Sequence, residues 1–131
     1  MKTHFDERAL RLLDETEEIE IETRVPNTHE VHRATLWVVV VGSDVYVRSA
    51  NGERGHWYQE LTANPAGAIY ADEERLPIHA APVADAELQL KVSEAYLRKY
   101  AQYPHDVAWI TGAAVLATTL RLEPDPRGPI S

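Results

Sequence analysis

Leu36–Ser49 reads LWVVVVGSDVYVRS, two strand-like runs on either side of a Gly-Ser-Asp turn. The first run is the second half of a strand expected over Val31–Val41, apolar at every position from Leu36 to Val41. A half-exposed strand would alternate, so both faces of this one should be covered, by helices or by a partner subunit. Gly42-Ser43-Asp44 reads as a three-residue hairpin loop. The chain returns over Val45–Ser49, with Val45 and Val47 on one face and Tyr46 and Arg48 on the other.

Upstream, Phe5, Ala9, Leu12, Leu13 and Thr16 recur at helical spacing and predict a helix over Phe5–Thr16. Glu18–Val25 alternates Ile19, Ile21 and Thr23 with glutamates, the pattern of a strand with one wet face. Downstream, the polar loop Ala50–Gly55 leads into a short helix, His56–Ala63, closed by Asn64-Pro65. Ala66–Ala71 and Arg75–Val83 form a second hairpin across Asp72-Glu73-Glu74. Asp85 can cap a long helix running to Tyr103 before Pro104. Val115–Leu122 reads as the last strand, and Glu123–Ser131, with three prolines, as a tail. The fold class is therefore α+β, mainly β, with five or six antiparallel strands and about three helices. It fits a single domain over 1–124, with a Pro-rich C-terminal tail at 125–131.

Composition narrows the function. A net charge of −8 argues against nucleic acid, whose binding rests on phosphate neutralisation. No apolar run approaches the length that spans a bilayer, and the first residues lack the apolar core of a secretory signal. With no cysteine there is neither a disulfide framework nor thiolate chemistry, and a cytoplasmic location is expected. His29 and His32 lack further ligands at a metal-binding spacing, so no metal is expected.

Acids crowd the first thirty residues, whereas Arg33, Arg48 and Arg54 make the middle locally basic. Hairpin arithmetic from Val41 and Val45 brings Arg33 near Arg54 and the start of the His56 helix. Loop amides, a helix N-terminus and arginines are what a phosphate requires. Trp57 on that helix could cover an aromatic ring. The same residues also read as an ordinary strand-to-helix connection whose arginines pair with surrounding acids. Lys99 lies about 20° from Leu88 on a helical wheel, inside the apolar stripe. Such a lysine either snorkels to the surface or reaches an anion.

The segment TLWVVVVGSDVYVRSANGERGHWYQELTANP (Thr35–Pro65) resembles the flavin-reductase-like split barrels. That group includes pyridoxamine-phosphate-oxidase-like proteins and deazaflavin-dependent nitroreductases. With AYLRKYAQY (Ala95–Tyr103) and ATTLRLEP (Ala117–Pro124), the chain is more closely similar to family 2255 of the domains of unknown function. The resemblance implies an antiparallel split β-barrel, usually paired into a homodimer with the cofactor at the interface. It also implies an FMN or deazaflavin cofactor held by Arg33, Arg48, Ser49 and Arg54. Trp57 and, on the ring side, Tyr96, Lys99 and Tyr100 would line the rest. In place of the Ser-x-Lys phosphate clamp usual in the flavin-mononucleotide members of the wider group stands Asn51-Gly52-Glu53-Arg54. Three functions stay open: an oxidoreductase of a small organic substrate, a non-catalytic cofactor-binding module, and a cofactor-free interaction protein.

Overall fold

The computed structural model describes residues 4–125. Helix α1 (Glu7–Glu15) begins where the Asp6 carboxylate accepts the Ala9 N–H at 2.8 Å, an N-cap that satisfies one orphan amide. Its buried residues Ala9 and Leu13 pack with Phe5. Strand β1 (Glu18–Arg24) buries Ile19, Ile21 and Thr23 and turns its glutamates outward, as the alternation requires.

The strand expected over Val31–Val41 is two strands. β2 (Val31–Trp37) pairs with β1, from Glu18↔Trp37 to Arg24↔Val31. β3 (Val39–Val41) pairs with β4 (Asp44–Val47), from Val39↔Tyr46 to Val41↔Asp44. The turn between them is therefore two residues, Gly42 and Ser43, and not three. Gly42 has φ +63°, a conformation glycine adopts without steric cost.

Between α2 (His56–Ala63) and the C-terminus lie β5 (Ala66–Ala71), β6 (Glu74–Pro82), α3 (Ala86–Lys99), α4 (Pro104–Ile110), α5 (Ala113–Leu116) and β7 (Leu120–Pro124). The sheet order is β2-β1-β5-β6-β7-β4-β3, antiparallel throughout. Its two edges, β2 and β3, are one stretch of chain interrupted at Val38, so the sheet curls into a barrel that is closed at Val38 and split beyond it.

Val38 is fully buried and lies outside the ladders, so its polar groups need other partners. The C-terminal end of α3 supplies them. The Tyr100 hydroxyl accepts the Val38 N–H at 3.0 Å and donates to the Glu17 carbonyl at 2.7 Å. Lys99 Nζ donates to the carbonyls of Val38 at 2.8 Å and Leu13 at 2.9 Å.

The described residues thus hold seven strands and five α-helices, more than the five or six strands and three helices expected. The Val38 break adds a strand. At the C-terminal end, Pro104 opens α4 at its first position and Gly112 precedes α5, so Val115 and Leu116 are helical and not part of the last strand. That strand instead continues to Pro124, pairing Ile78↔Pro124 and His79↔Glu123, where a tail was expected. Residues 126–131 of the expected tail lie outside the described residues.

The barrel interior holds Val38, Val45 and Val47 together with Leu13, Ile21 and Ile69. On the opposite face, Val39 and Tyr46 pack against Val92, Ala95, Tyr96 and Val107 of α3 and α4. Both faces of the β3–β4 hairpin are therefore covered, and here helices do the covering. Among the described residues no helix is long and apolar enough to cross a membrane.

Candidate cofactor groove

β3 and β4 are paired for three residues on each arm, after which the arms part. β2 keeps a free edge while Arg48–Asn51 leads away from the end of β4. Extending the register of Val41↔Asp44 would bring Arg33 opposite Gly52, but a groove opens instead. It has two compartments, of about 470 and 600 Å³, both lined by Ala34, Asn51 and Trp57.

The larger compartment is basic, lined by His32, Arg33, Arg54, His56 and the α2 N-terminus at Gly55, with Glu60 as its carboxylate. A single 3-10 turn, Gly52–Arg54, builds the loop. Gly52, at φ +65°, donates its N–H to Ser49 O at 2.9 Å, and Gly55 N–H to Gly52 O at 3.2 Å. Gly55 is the N-cap of α2 and brings no capping side chain, so the first-turn amides are left for a ligand or solvent. Beneath Gly55 sits Ser49, fully buried, whose Oγ has no hydrogen-bond partner among the described residues. A Cβ on Gly55 would come within 2.4 Å of that Oγ.

The charged residues of this compartment differ in freedom. Arg54 is exposed and, among the described residues, has no ion pair. Arg33 lies over the Tyr70 ring at 3.9 Å, bonded to Glu20 at 3.2 Å and 3.8 Å from Glu22. His32 is held between Glu30 at 2.9 Å and Glu60 at 2.8 Å, and these hydrogen bonds raise its pKa above the ordinary histidine value. Glu60 also accepts the Thr23 hydroxyl at 2.6 Å. Glu53 does not line the compartment, although Asn51 and Arg54 do.

The smaller compartment is aromatic, with Trp37, Trp57, Tyr103 and Trp109 in its walls. Trp37 stacks on Tyr100 with centroids 3.9 Å apart and planes 5° from parallel. Trp109 is 57 % exposed, its indole N–H tied to the Ala50 carbonyl. Arg48 forms part of the wall, 2 % exposed. Its Nε donates to Thr119 at 2.8 Å. One terminal nitrogen reaches Ser93 at 2.8 Å and Ile110 O at 3.2 Å, and the other Gln89 O at 3.1 Å and Gln89 Oε1 at 2.9 Å. All five N–H groups thus meet neutral protein acceptors, and burial lowers the guanidinium's pKa. Arg48 offers the groove positive charge without a free donor. Glu17, Glu18 and Asp106 line the same compartment.

Of the residues singled out in the sequence, Arg33, Arg54 and Trp57 meet in the groove and Arg48 stands in its wall. Ser49 lies under the loop. Tyr96, Lys99 and Tyr100 line neither compartment. Lys99 neither snorkels freely nor meets an anion: it reaches two main-chain carbonyls, behind the stacked Trp37 and Tyr100. Pairing with surrounding acids holds for Arg33, and among the described residues not for Arg48 or Arg54. Trp37, Trp109 and Tyr103 line the groove without having been singled out for it. Trp109 stands on α4, in a stretch between Pro104 and Val115 for which the sequence pattern predicts no element, and Trp37 is masked by its place in an unbroken apolar run. Among the described residues no group of three or more His, Asp or Glu side chains could hold a metal.

A curled antiparallel barrel, split beside a helix N-terminus, is the architecture of the split-barrel proteins. Within that class the chain belongs to DUF2255, described as uncharacterized protein conserved in bacteria, whose family model matches residues 9–122. No curated protein matches the sequence. Among solved structures it is similar to the heme storage protein HutZ from Vibrio cholerae, with TM-score 0.65 and 13 % identity, covering 93 % of this chain and 91 % of that one. It is similar also to an F420-H2-dependent reductase, FDR-A, at 0.61 and 14 %, covering 81 % and 93 %. A FAD-binding protein from Mesorhizobium loti gives 0.59 and 14 %, covering 92 % and 88 %. At these identities the likeness is one of fold.

Proposed function

We propose that the groove binds a flavin or deazaflavin, phosphate in the basic compartment and ring in the aromatic one, and that the protein is an oxidoreductase acting on a small organic molecule. The observation that carries this reading is Ser49 Oγ. Among the described residues it is buried without a partner, directly beneath Gly55, where any Cβ would collide with it, at the uncapped start of α2. A buried hydroxyl left unpaired costs about 1–3 kcal/mol, so a partner is expected there. A phosphate held by the α2 amides and Arg54 would meet that need once Gly55 shifts from over the hydroxyl.

The residues present fit such a group. Arg54 is free to pair with it, and Arg33 can contribute charge while stacked on Tyr70. Arg48 contributes fixed positive charge beside the ring compartment, whose low exposure strengthens its field. Trp37, Trp57 and Trp109 exclude water and set the plane of a flat ring. The cofactor would supply two-electron transfer, while these side chains bind, orient and shield it. The F420-H2-dependent and FAD-binding neighbours of the same fold support the choice of cofactor class. Homodimerisation belongs to the same reading: β2 presents an unpaired edge, with Val31 47 % exposed on it. A cytoplasmic location fits a chain without cysteine.

Titration with flavin mononucleotide and with a deazaflavin, followed by visible absorbance, tests the proposal. Saturation is expected with a Kd on the order of 10 µM or tighter for one of the two. No binding of either sinks the reading, and binding without turnover of nitro, quinone or enone acceptors leaves a non-catalytic module.

A further inference from the structure

The sequence has three lysines, Lys2, Lys91 and Lys99. Lys91 is exposed on α3, and Lys2 lies outside the described residues. Lys99 is half-buried and borders a separate cavity of about 270 Å³ with Asp14, Val39, Val40, Ala95 and Arg98. Two of its N–H bonds go to the carbonyls of Leu13 and Val38. With Cε as the third substituent, one tetrahedral position of Nζ has no acceptor among the described residues. In the neutral amine both carbonyl bonds can persist, and the lone pair takes that remaining position.

The surroundings favour the amine. Burial lowers the Lys99 pKa to about 8, against the opposing pull of Asp14 and Glu17. Arg98 and Tyr100 flank it on its own helix, and β3 contributes only Val39 and Val40. Roughly a tenth of the side chain is then neutral at pH 7, against a few parts in ten thousand for an ordinary lysine. Arg98 adds a cation at the cavity where an anionic donor would sit, and among the described residues Asp14 is the one lining carboxylate that the donor would have to stand away from.

We propose that Lys99 is an acylation site, taking its acyl group from a small acyl phosphate held in this cavity beside Arg98. The Nζ lone pair attacks the acyl carbon, the N–C bond forms and the C–O bond to phosphate breaks. Phosphate leaves with that electron pair and takes up the proton released by nitrogen. The amide formed keeps one N–H, so one of the two carbonyl bonds linking α1 to Val38 is lost. The inference is independent of the cofactor reading, because the cavity shares no residue with the groove.

The test treats the full chain with acetyl phosphate and follows each lysine by peptide mass spectrometry. Lys99 is expected to acylate about tenfold faster than Lys91 at pH 7, less than its neutral fraction alone would give because a weaker base is a weaker nucleophile. The preference should shrink toward pH 10 and vanish in denaturing urea. Arg98→Ala should slow Lys99 and leave Lys91 unchanged. Equal rates at Lys99 and Lys91 in the folded protein, or reaction of Lys99 only after unfolding, would overturn the site. A Lys99 rate indifferent to Arg98→Ala would overturn the acyl phosphate as donor.

Discussion

Between Val39 and Val47 the two arms of the central hairpin are hydrogen-bonded and covered on both faces, whereas Val31–Trp37 and Arg48–Asn51 stand apart with a groove between them. The same two arms thus serve opposite ends. In the zipped part, the ladder and the packing of valines satisfy the chain internally. In the split part, one edge of β2 and the α2 amides have polar groups that a ligand could meet, and Ser49 Oγ lies just beneath them. Stability should therefore concentrate on one side of Val38 and Arg48, and ligand affinity on the other.

Four substitutions or conditions probe that division. The largest effect is expected at Arg48, which stands at the boundary. Arg48→Ala opens a cavity and leaves Gln89, Ser93 and Thr119 without their guanidinium, and should cost about 2–5 kcal/mol, read from the urea midpoint. A midpoint within experimental error of the parent would show that the zipped part does not depend on it. Next, Tyr100→Phe leaves the Val38 N–H and Glu17 carbonyl unmatched and should cost about 1–3 kcal/mol, with cofactor affinity preserved in the fraction that folds. A larger loss of affinity than of stability would erase the boundary.

In the split part, Arg54→Ala should change stability by less than about 0.5 kcal/mol. It should, however, weaken flavin or deazaflavin binding about tenfold, the loss of one charge-assisted contact. Unchanged affinity, measured by absorbance titration, would remove the loop from the phosphate role. The last prediction is a pH dependence at Val38. The folded pKa of Lys99, about 8, lies below that of the unfolded chain, near 10.5. The unfolded state therefore binds more protons between these values, so this stabilising contribution is present above about 10.5 and lost as pH falls through 8. Tyr96 and Tyr100, whose pKa values burial raises, act in the other direction above about pH 10. Stability should rise from pH 8 toward 10 and then fall, and Lys99→Gln should flatten the rise. A parent profile already flat over that range would contradict the burial of the ammonium.

Much of the fold is legible in local pattern. Ile19, Ile21 and Thr23 declare β1 by alternation, and Asp85 marks the α3 cap, where its carboxylate accepts the Leu88 N–H at 2.8 Å. What eludes the pattern is the break at Val38, since a valine between valines looks the same in one strand or two. Its partners, Lys99 and Tyr100, lie some sixty residues away and show themselves only once α3 is docked. The candidate site divides likewise. Arg33, Arg54 and Trp57 could be found from hairpin proximity, although β2 and Arg48–Asn51 turn out to be unpaired walls. The direction of the Arg48 guanidinium, into Gln89, Ser93 and Thr119, depends on helices whose docking no local spacing encodes.

A single residue joining the two sheet edges also couples their registers. Were β2 to slip by one against β1, Leu36 and Ala34 would turn out of the barrel and Arg33 and Thr35 into it. Because Val38 leaves no slack, the same shift would pull β3 along β4 and set Val39 and Val40 on the wrong faces. The penalty for one misalignment is thus incurred at both margins of the sheet. β4 moreover gains its other neighbour only when β7, beginning at Leu120, arrives. Every residue from β1 to Leu120 must be synthesised before the alignment chosen early can be locked, which makes this a domain whose folding should be slow for its length.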